Sequence, residues 1–399
     1  MANTNDIVVV NFDTRRIVAL SASVSHGVDK FDNLKVLADK EHSGILNSDF
    51  VDLNAFKEET FSAIKQAQIQ YKSNFNKIYV GVPGAFIKVM VKKVSKRFTK
   101  NIKITQQDIE NFEESVMALK DVPNYTTISI SPTYYLLDKK MVKSVVGKTG
   151  QELQITYSCI LCDNKFINLI KEIFKSFFIK EEQLEFISQE FAECVSMFSP
   201  ETRDNTIIIC NIDELAINIA IGRGDGLLTY STNSNGCSFI IKEVYEKLQL
   251  PKYSDAEKMV YSLDVSANSE IYEPYNVIYK GKSYPVPYKL VKEIILEKLD
   301  EIANEINKLI AECKYDVPPH LPVVIFVNSL ANIKGSEVYI NKKINRTIQN
   351  QKFSEYGKLK QNYIPALCIL KVVSRKQNIG SNKSFIQKLK QIFKIKNSK

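Results

Sequence analysis

The chain has only three histidines, His26, His42 and His320, and no apolar run approaching the roughly 18 residues of a membrane span. Its start, MANTNDIVVV, lacks a charged stretch followed by a long apolar core. Secretion and membrane spanning are therefore not expected, and the cytoplasm is the default compartment. The seven cysteines are odd in number and lie mostly in apolar runs, as at Cys159, Cys210 and Cys368. Free thiols in a reducing compartment suit them better than a disulfide framework. Cys159 and Cys162 form a CxxC with no second pair at ligand spacing, which reads as two thiols in a buried strand rather than a zinc site. No GxSxG is present, and no nucleophile can be paired with a histidine from spacing alone.

Acid is also missing where base is dense. The net charge is +9, but the segment 383–399 holds six lysines and no Asp or Glu, so the rest of the chain carries +3. A body this mildly basic argues against nucleic acid as a partner. GKTG at 147–150 lacks the first glycine of a phosphate loop and sits between strand-like runs, so it reads as a hairpin turn. RGD at 223–225 likewise sits in a turn, GRGDGL.

What is present is alternation and repetition. DIVVVNF and IVALSASV, separated by DTRR, predict a hairpin. A second of the same kind, IIICNIDELAINIAIGRGDGLLTY, begins near Thr206. Each leads into a helical unit, so the chain reads as two halves with one theme, long enough for two domains or one two-lobed fold. A helix is expected over 54–74, with Phe56, Phe61, Ile64, Ala67 and Ile69 on one face, followed by the buried strand KIYVGVPG. Between 87 and 161 the texture changes to a small α+β unit whose helix, TQQDIENFEESVMALK, is capped by Thr105. The resulting segments are 1–86 and 162–204 for the first lobe, 87–161 inserted into it, 205–240 and 319–375 for the base of the second lobe, 241–318 for its upper part, and 376–399 for a linker and tail.

The tail is strongly amphipathic. At 100° per residue, Phe385, Ile386, Leu389, Ile392 and Phe393 fall within an arc of about 120°, with Lys388, Lys390 and Lys394 opposite. Such a helix either docks on its own body or lies on an anionic lipid surface. A ring of lysines, no acid and a polar linker favour the lipid. Apolar burial at ~1 kcal/mol or more per side chain, plus ~1 kcal/mol per lysine, gives a reversible anchor.

Two hairpin-led lobes, an insert in each, KITQQDIENFEES, the long YKLVKEIILEKLDEIANEINKLI, NYIPALCIL and the amphipathic tail together resemble the FtsA family. These are actin-like proteins that tie the FtsZ division polymer to the bacterial membrane. The resemblance covers nearly the whole chain and implies an α/β, actin-like (ribonuclease H-like) two-lobe fold. It also implies three nucleotide loops, and all three depart from the family pattern. The first, Asp-hydrophobic-Gly-Thr in the family, is Asn11, Phe12, Asp13, Thr14. The second, Asp-Ile-Gly-Gly-Gly-Thr-Thr-Asp, is Asn211, Ile212, Asp213, Glu214, Leu215, Ala216, Ile217, Asn218. The third, Thr-Gly-Gly-Thr-Ser, is Val327, Asn328, Ser329, Leu330, Ala331.

Glycines let backbone amides close on phosphate oxygens, and acids in their place add bulk and like charge, ~4 kcal/mol per pair of charges ~4 Å apart at an effective dielectric of 20. Asn11 and Asn218 stand where magnesium-side carboxylates would be. The expectation is a cradle kept for its shape, with no nucleotide or metal cofactor and no hydrolysis. The opposing readings are a plain acidic turn, and ATP with magnesium held through other contacts. The resemblance further implies an adaptor on the cytoplasmic face of the cell membrane, at the division site. Its partners would be the FtsZ C-terminal peptide, weakly carried by Lys298, Asp300 and Glu301, anionic lipids, and its own copies in a filament. An ATPase that polymerises on ATP, or a PilM-like assembly adaptor, are the alternatives.

Overall fold

The computed structural model describes residues 6–24, 31–117, 122–267, 273–313, 317–350 and 361–378. The β-branched opening run forms the strand Asp6–Phe12, buried from Ile7 onward. The chain turns back along Arg16–Val24, and Phe31–Glu41 adds a third antiparallel strand. Ile78–Val82 then pairs parallel with the opening strand, and Leu184–Ser188 parallel with Ile78–Val82. The second half repeats this plan. Ile207–Ile212, Ile217–Arg223 and Gly226–Asn233 are antiparallel, Val323–Asn328 runs parallel to the first of them, and Ile348–Asn350 parallel to Val323–Asn328. Two five-stranded sheets thus share one strand order.

The helix Leu53–Tyr71 covers the first sheet and is capped by the Asp52 side chain. Its buried stripe is Phe56, Thr60, Ala63, Ile64 and Ala67, which follows the 3.6-residue period. Two residues assigned to that face in the sequence lie off it: Ile69 is 64% exposed and Phe61 44% exposed. The ring of Phe61 instead packs against Phe177, tilted by 36° with centroids 4.4 Å apart. The helix stops where Lys72 takes a left-handed conformation, φ 60°.

On the opposite side, Ile364–Asn378 returns from the second half and packs on Gln189–Met197 and Asp6–Phe12. It is buried continuously from Tyr363 to Ser374, as expected of a helix enclosed on most of its circumference. The insert is a four-stranded sheet, Ile87–Lys103, Thr149–Asp163, Tyr125–Leu137 and Lys140–Val142 in that order, with its own small core around Phe112, Leu153 and Tyr157. Its helix, Gln106–Met117, starts at a reciprocal cap in which the Asp108 amide donates to Thr105 Oγ1 and the Thr105 amide to Asp108. The GKTG and RGD stretches are turns between strands, with Gly147 and Gly224 at positive φ. Among the described residues all seven cysteines are free thiols, and no helix is long and apolar enough to cross a membrane.

Candidate functional site

The matching hairpins put their corners face to face. Asp13 and Thr14 close the first corner, Asp213 and Glu214 the second. Within each, the aspartate folds onto the next backbone amide: Thr14 N donates to Asp13 Oδ1 at 2.8 Å and Glu214 N to Asp213 Oδ1 at 2.7 Å. Both aspartate amides close their own turns, onto the Arg16 and Ala216 carbonyls. Across the gap Thr14 Oγ1 donates to Asp213 Oδ2, and Arg15 faces Glu214 at 3.7 Å. Behind the second corner begins the helix Ser238–Lys247, whose leading amides would ordinarily be free to meet an anion. Here the amides of Cys237 and Ser238 donate to the Asp213 and Glu214 carbonyls.

The floor is formed by a helix that sequence reasoning passed over. Gln189–Met197 begins at the Ser188 cap and turns Gln189, Glu190 and Glu193 inward. Gln189 Nε2 donates to Asn11 Oδ1 at 2.9 Å and to the Phe12 carbonyl. Asn211 Nδ2 donates to both oxygens of Glu193, at 3.0 and 2.8 Å. Asn218 Oδ1 accepts from Tyr230 Oη at 2.8 Å and Thr232 Oγ1 at 2.7 Å. These contacts are tight: a Cβ on Gly84 would lie 1.7 Å from Tyr230 Oη, and one on Gly81 would lie 2.0 Å from Asn11 Oδ1. The signal available in the sequence was four polar residues, Ser188, Gln189, Glu190 and Glu193, in an otherwise apolar run, ISQEFAECV.

Burial sets the protonation of this cluster. It pushes the Asp13 carboxyl well above its ordinary value, with the neighbouring Asp213 adding to it, and raises Glu193 in the same direction. Glu190 rises to about 7, again mainly by burial. Glu214 is raised by burial and then by Asp213. His42, whose Nε2 bonds the Asp13 carbonyl at 2.9 Å and whose Nδ1 accepts from the Gly44 amide at 3.1 Å, is lowered to about 4 by burial. Burial thus favours the protonated form of Asp13, and direct contact between the corners adds to whatever charge opposes an anion there. The cavity left between the corners is about 60 Å³, lined by Asp13, Arg15, Asp213, Glu214, Ser329 and Asn332 among others. That holds a few waters, against the ~300–1,000 Å³ of ligand pockets.

Of the third loop, Asn328 ends the strand Val323–Asn328 and Ser329 opens the short turn Ser329–Asn332 beside this cavity. Lys298, Asp300 and Glu301 lie on the long helix Tyr288–Ala311, in a network internal to the second half. Lys298 pairs with Glu301 at 2.8 Å and Glu243 at 3.4 Å, and Asp300 accepts from Tyr339 Oη and Lys343 Nζ, each at 2.9 Å. The tail residues Phe385, Ile386, Lys388, Leu389, Lys390, Ile392, Phe393 and Lys394 lie outside the described residues.

No family model matches the sequence, and no curated protein matches it. Solved structures do match. A PilM–PilN type IV pilus biogenesis complex aligns over 93% of this chain and 98% of its own, with TM-score 0.55 and 10% identity. MreB5 of Spiroplasma citri bound to ADP aligns over 94% and 99%, with TM-score 0.54 and 9% identity. The ethanolamine utilization protein EutJ of Carboxydothermus hydrogenoformans aligns over 92% and 90%, with TM-score 0.50 and 10% identity. The chain has the two-lobed actin-like fold. In this fold the repeated sheets are the cores of the two lobes, and the facing corners lie at the interlobe cleft.

Proposed function

We propose that this chain is a non-hydrolysing actin-like adaptor, a scaffold whose interlobe cleft is closed by its own side chains. The observation that carries the reading is the pair of corner aspartates. Each accepts the amide hydrogen that a phosphate oxygen would need, and a threonine hydroxyl joins the two corners directly. ATP and magnesium do not fit the residues present: the leading amides of the cleft helix are occupied, and the carboxamide oxygens of Asn11 and Asn218 are held by Gln189 and by Tyr230 and Thr232. A ligand would have to break these bonds before it could form its own.

The finer reading is FtsA-like. The body grips the FtsZ division polymer, and the tail rests on anionic lipid at the cytoplasmic face of the membrane, where an array of copies converts a weak anchor into lasting attachment. Because Lys298, Asp300 and Glu301 are already paired within their lobe, they make a poor peptide site, and the polymer contact is expected elsewhere on the upper second lobe. A second reading, favoured by the likeness to the PilM–PilN complex, is a membrane-associated adaptor of a pilus-type assembly. Co-sedimentation with vesicles containing an anionic phospholipid, run with and without FtsZ polymer, tests the proposal. The full chain should pellet with vesicles and bring FtsZ down, equally with or without ATP, and a chain ending at Lys376 should do neither. Binding of vesicles without FtsZ would favour the second reading. Pelleting that requires ATP would remove the adaptor proposal.

A further inference from the structure

The described body ends beside a groove. Arg375 on the last helix donates from Nη1 to the Val195 carbonyl at 3.0 Å, and Arg203 donates to that same oxygen at 3.1 Å. Arg203 in turn forms part of the wall of a groove of about 510 Å³ where the insert meets the end of the first lobe and the base of the second. The remaining donors of Arg203 go to the Gly224 and Phe198 carbonyls and to Asp225, so it shapes the wall and is not a free cation. Apolar surface comes from Pro132, Tyr134, Met141, Val142 and Pro200, and Met141 is 53% exposed. Arg223 lies over the Tyr134 ring at 5.4 Å and Lys143 pairs with Asp204. Three acids, Glu201, Asp204 and Asp225, stand among the lining residues.

The chain continues from Asn378 to Lys399, and after Ile379 its apolar residues resume at Phe385. Residues 379–384, extended, reach about 20 Å, so the tail starts within a short tether of this groove. Its composition suits the site: an apolar arc for the apolar wall, while the three acids of the lining are matched by Lys143, Arg203 and Arg223 and set no charge preference. The volume lies in the range of pockets that hold a few large apolar groups. We propose that the apolar face formed by Phe385, Ile386, Leu389, Ile392 and Phe393 docks in this groove when no membrane is present, so that the body masks its own anchor. This rests on the anchor reading given above only for its consequence, since the docking itself requires no lipid. If the tail is docked nine-tenths of the time, its apparent affinity for vesicles is lowered about tenfold.

The test uses the full chain with the photo-crosslinking residue benzoylphenylalanine in place of Met141, an exposed side chain whose replacement leaves the cores untouched. Illumination of a mixture of isotopically light and heavy protein should join position 141 to the segment 383–396 of the same chain, and added anionic vesicles should reduce that product. In parallel, Met141→Glu in the full chain should bind vesicles about tenfold more tightly. Crosslinks that stay within the body, or that join light to heavy chains, would overturn the proposal, as would an unchanged vesicle affinity of Met141→Glu. Intrachain crosslinks from a protein that never binds vesicles would support the docking and remove the anchor reading instead.

Discussion

Replacing Glu190 with glutamine is expected to stabilise the protein by about 3 kcal/mol at pH 8, by less at pH 6, and not measurably at pH 4.5. Glu190 is 1% exposed at the cleft floor, and burial raises its carboxyl from 4.5 to about 7. A raised carboxyl favours the protonated folded state, so its contribution is fully present below the unfolded value near 4.5. That contribution is lost as pH rises and is gone once the folded value near 7 is passed. The shift of about 2.5 units at 1.36 kcal/mol per unit gives the ~3 kcal/mol. Asp13 and Glu193 are shifted the same way, so in the unmodified protein they add to the loss of stability that Glu190 brings as pH rises from about 4.5 through 7. His42 acts with the opposite sign: lowered to about 4, it costs stability as pH falls below about 6.5, so it partly offsets the carboxyls in the unmodified protein and cancels when the two proteins are compared at one pH. Urea unfolding of both proteins at a series of pH values is the check. A gain from Glu190→Gln that is the same at every pH would assign the effect to packing rather than to charge.

The bond between the corners carries the second large effect. Thr14→Val keeps the shape of the side chain, which is 2% exposed, and removes only the hydroxyl that donates to Asp213. Asp213 Oδ1 still accepts from the Glu214 amide and the side chain keeps its hydrogen bond with Asp13, but Oδ2 loses the Thr14 hydroxyl. A hydrogen bond to a charged acceptor contributes about 1.5–3 kcal/mol, and loss of that size is expected, with Thr14→Ser restoring most of it. Because this bond joins the lobes, amide exchange should speed up at residues 13–15 and 213–215 more than inside either sheet. Exchange that rises uniformly through one lobe would mean that Thr14 supports that lobe and not the closure.

The parts of this fold that were legible in the sequence are those governed by local period. Both hairpins stand out because β-branched residues recur on either side of short polar corners, and the departures from the nucleotide-loop pattern at Asn11, Asp13, Asp213 and Asn218 can be read directly. The misassigned face of Leu53–Tyr71 shows the limit of that method: Ile69 fits a loose apolar face but not the stripe set by Phe56, Ala63 and Ala67. Long-range partners left only a faint local trace, the polar residues within ISQEFAECV. Gln189, Glu190 and Glu193 become part of the cleft only because Leu184–Ser188 pairs parallel to Ile78–Val82 and aims the following helix at Asn11 and Asn211. Burial is equally invisible locally at Asp13, where residues distant in the chain push its carboxyl above the ordinary value.

The central claim is that the interlobe cleft is filled by the protein's own hydrogen bonds, and calorimetric titration of the full chain with ATP and magnesium tests it most directly. A nucleotide present at a hundred times its dissociation constant would stabilise the fold by about 2.7 kcal/mol, so a parallel thermal melt would register it. The prediction is no heat of binding up to millimolar ATP and an unchanged melting temperature. Saturable binding in the micromolar range, with a rise in melting temperature that follows it, would contradict the account.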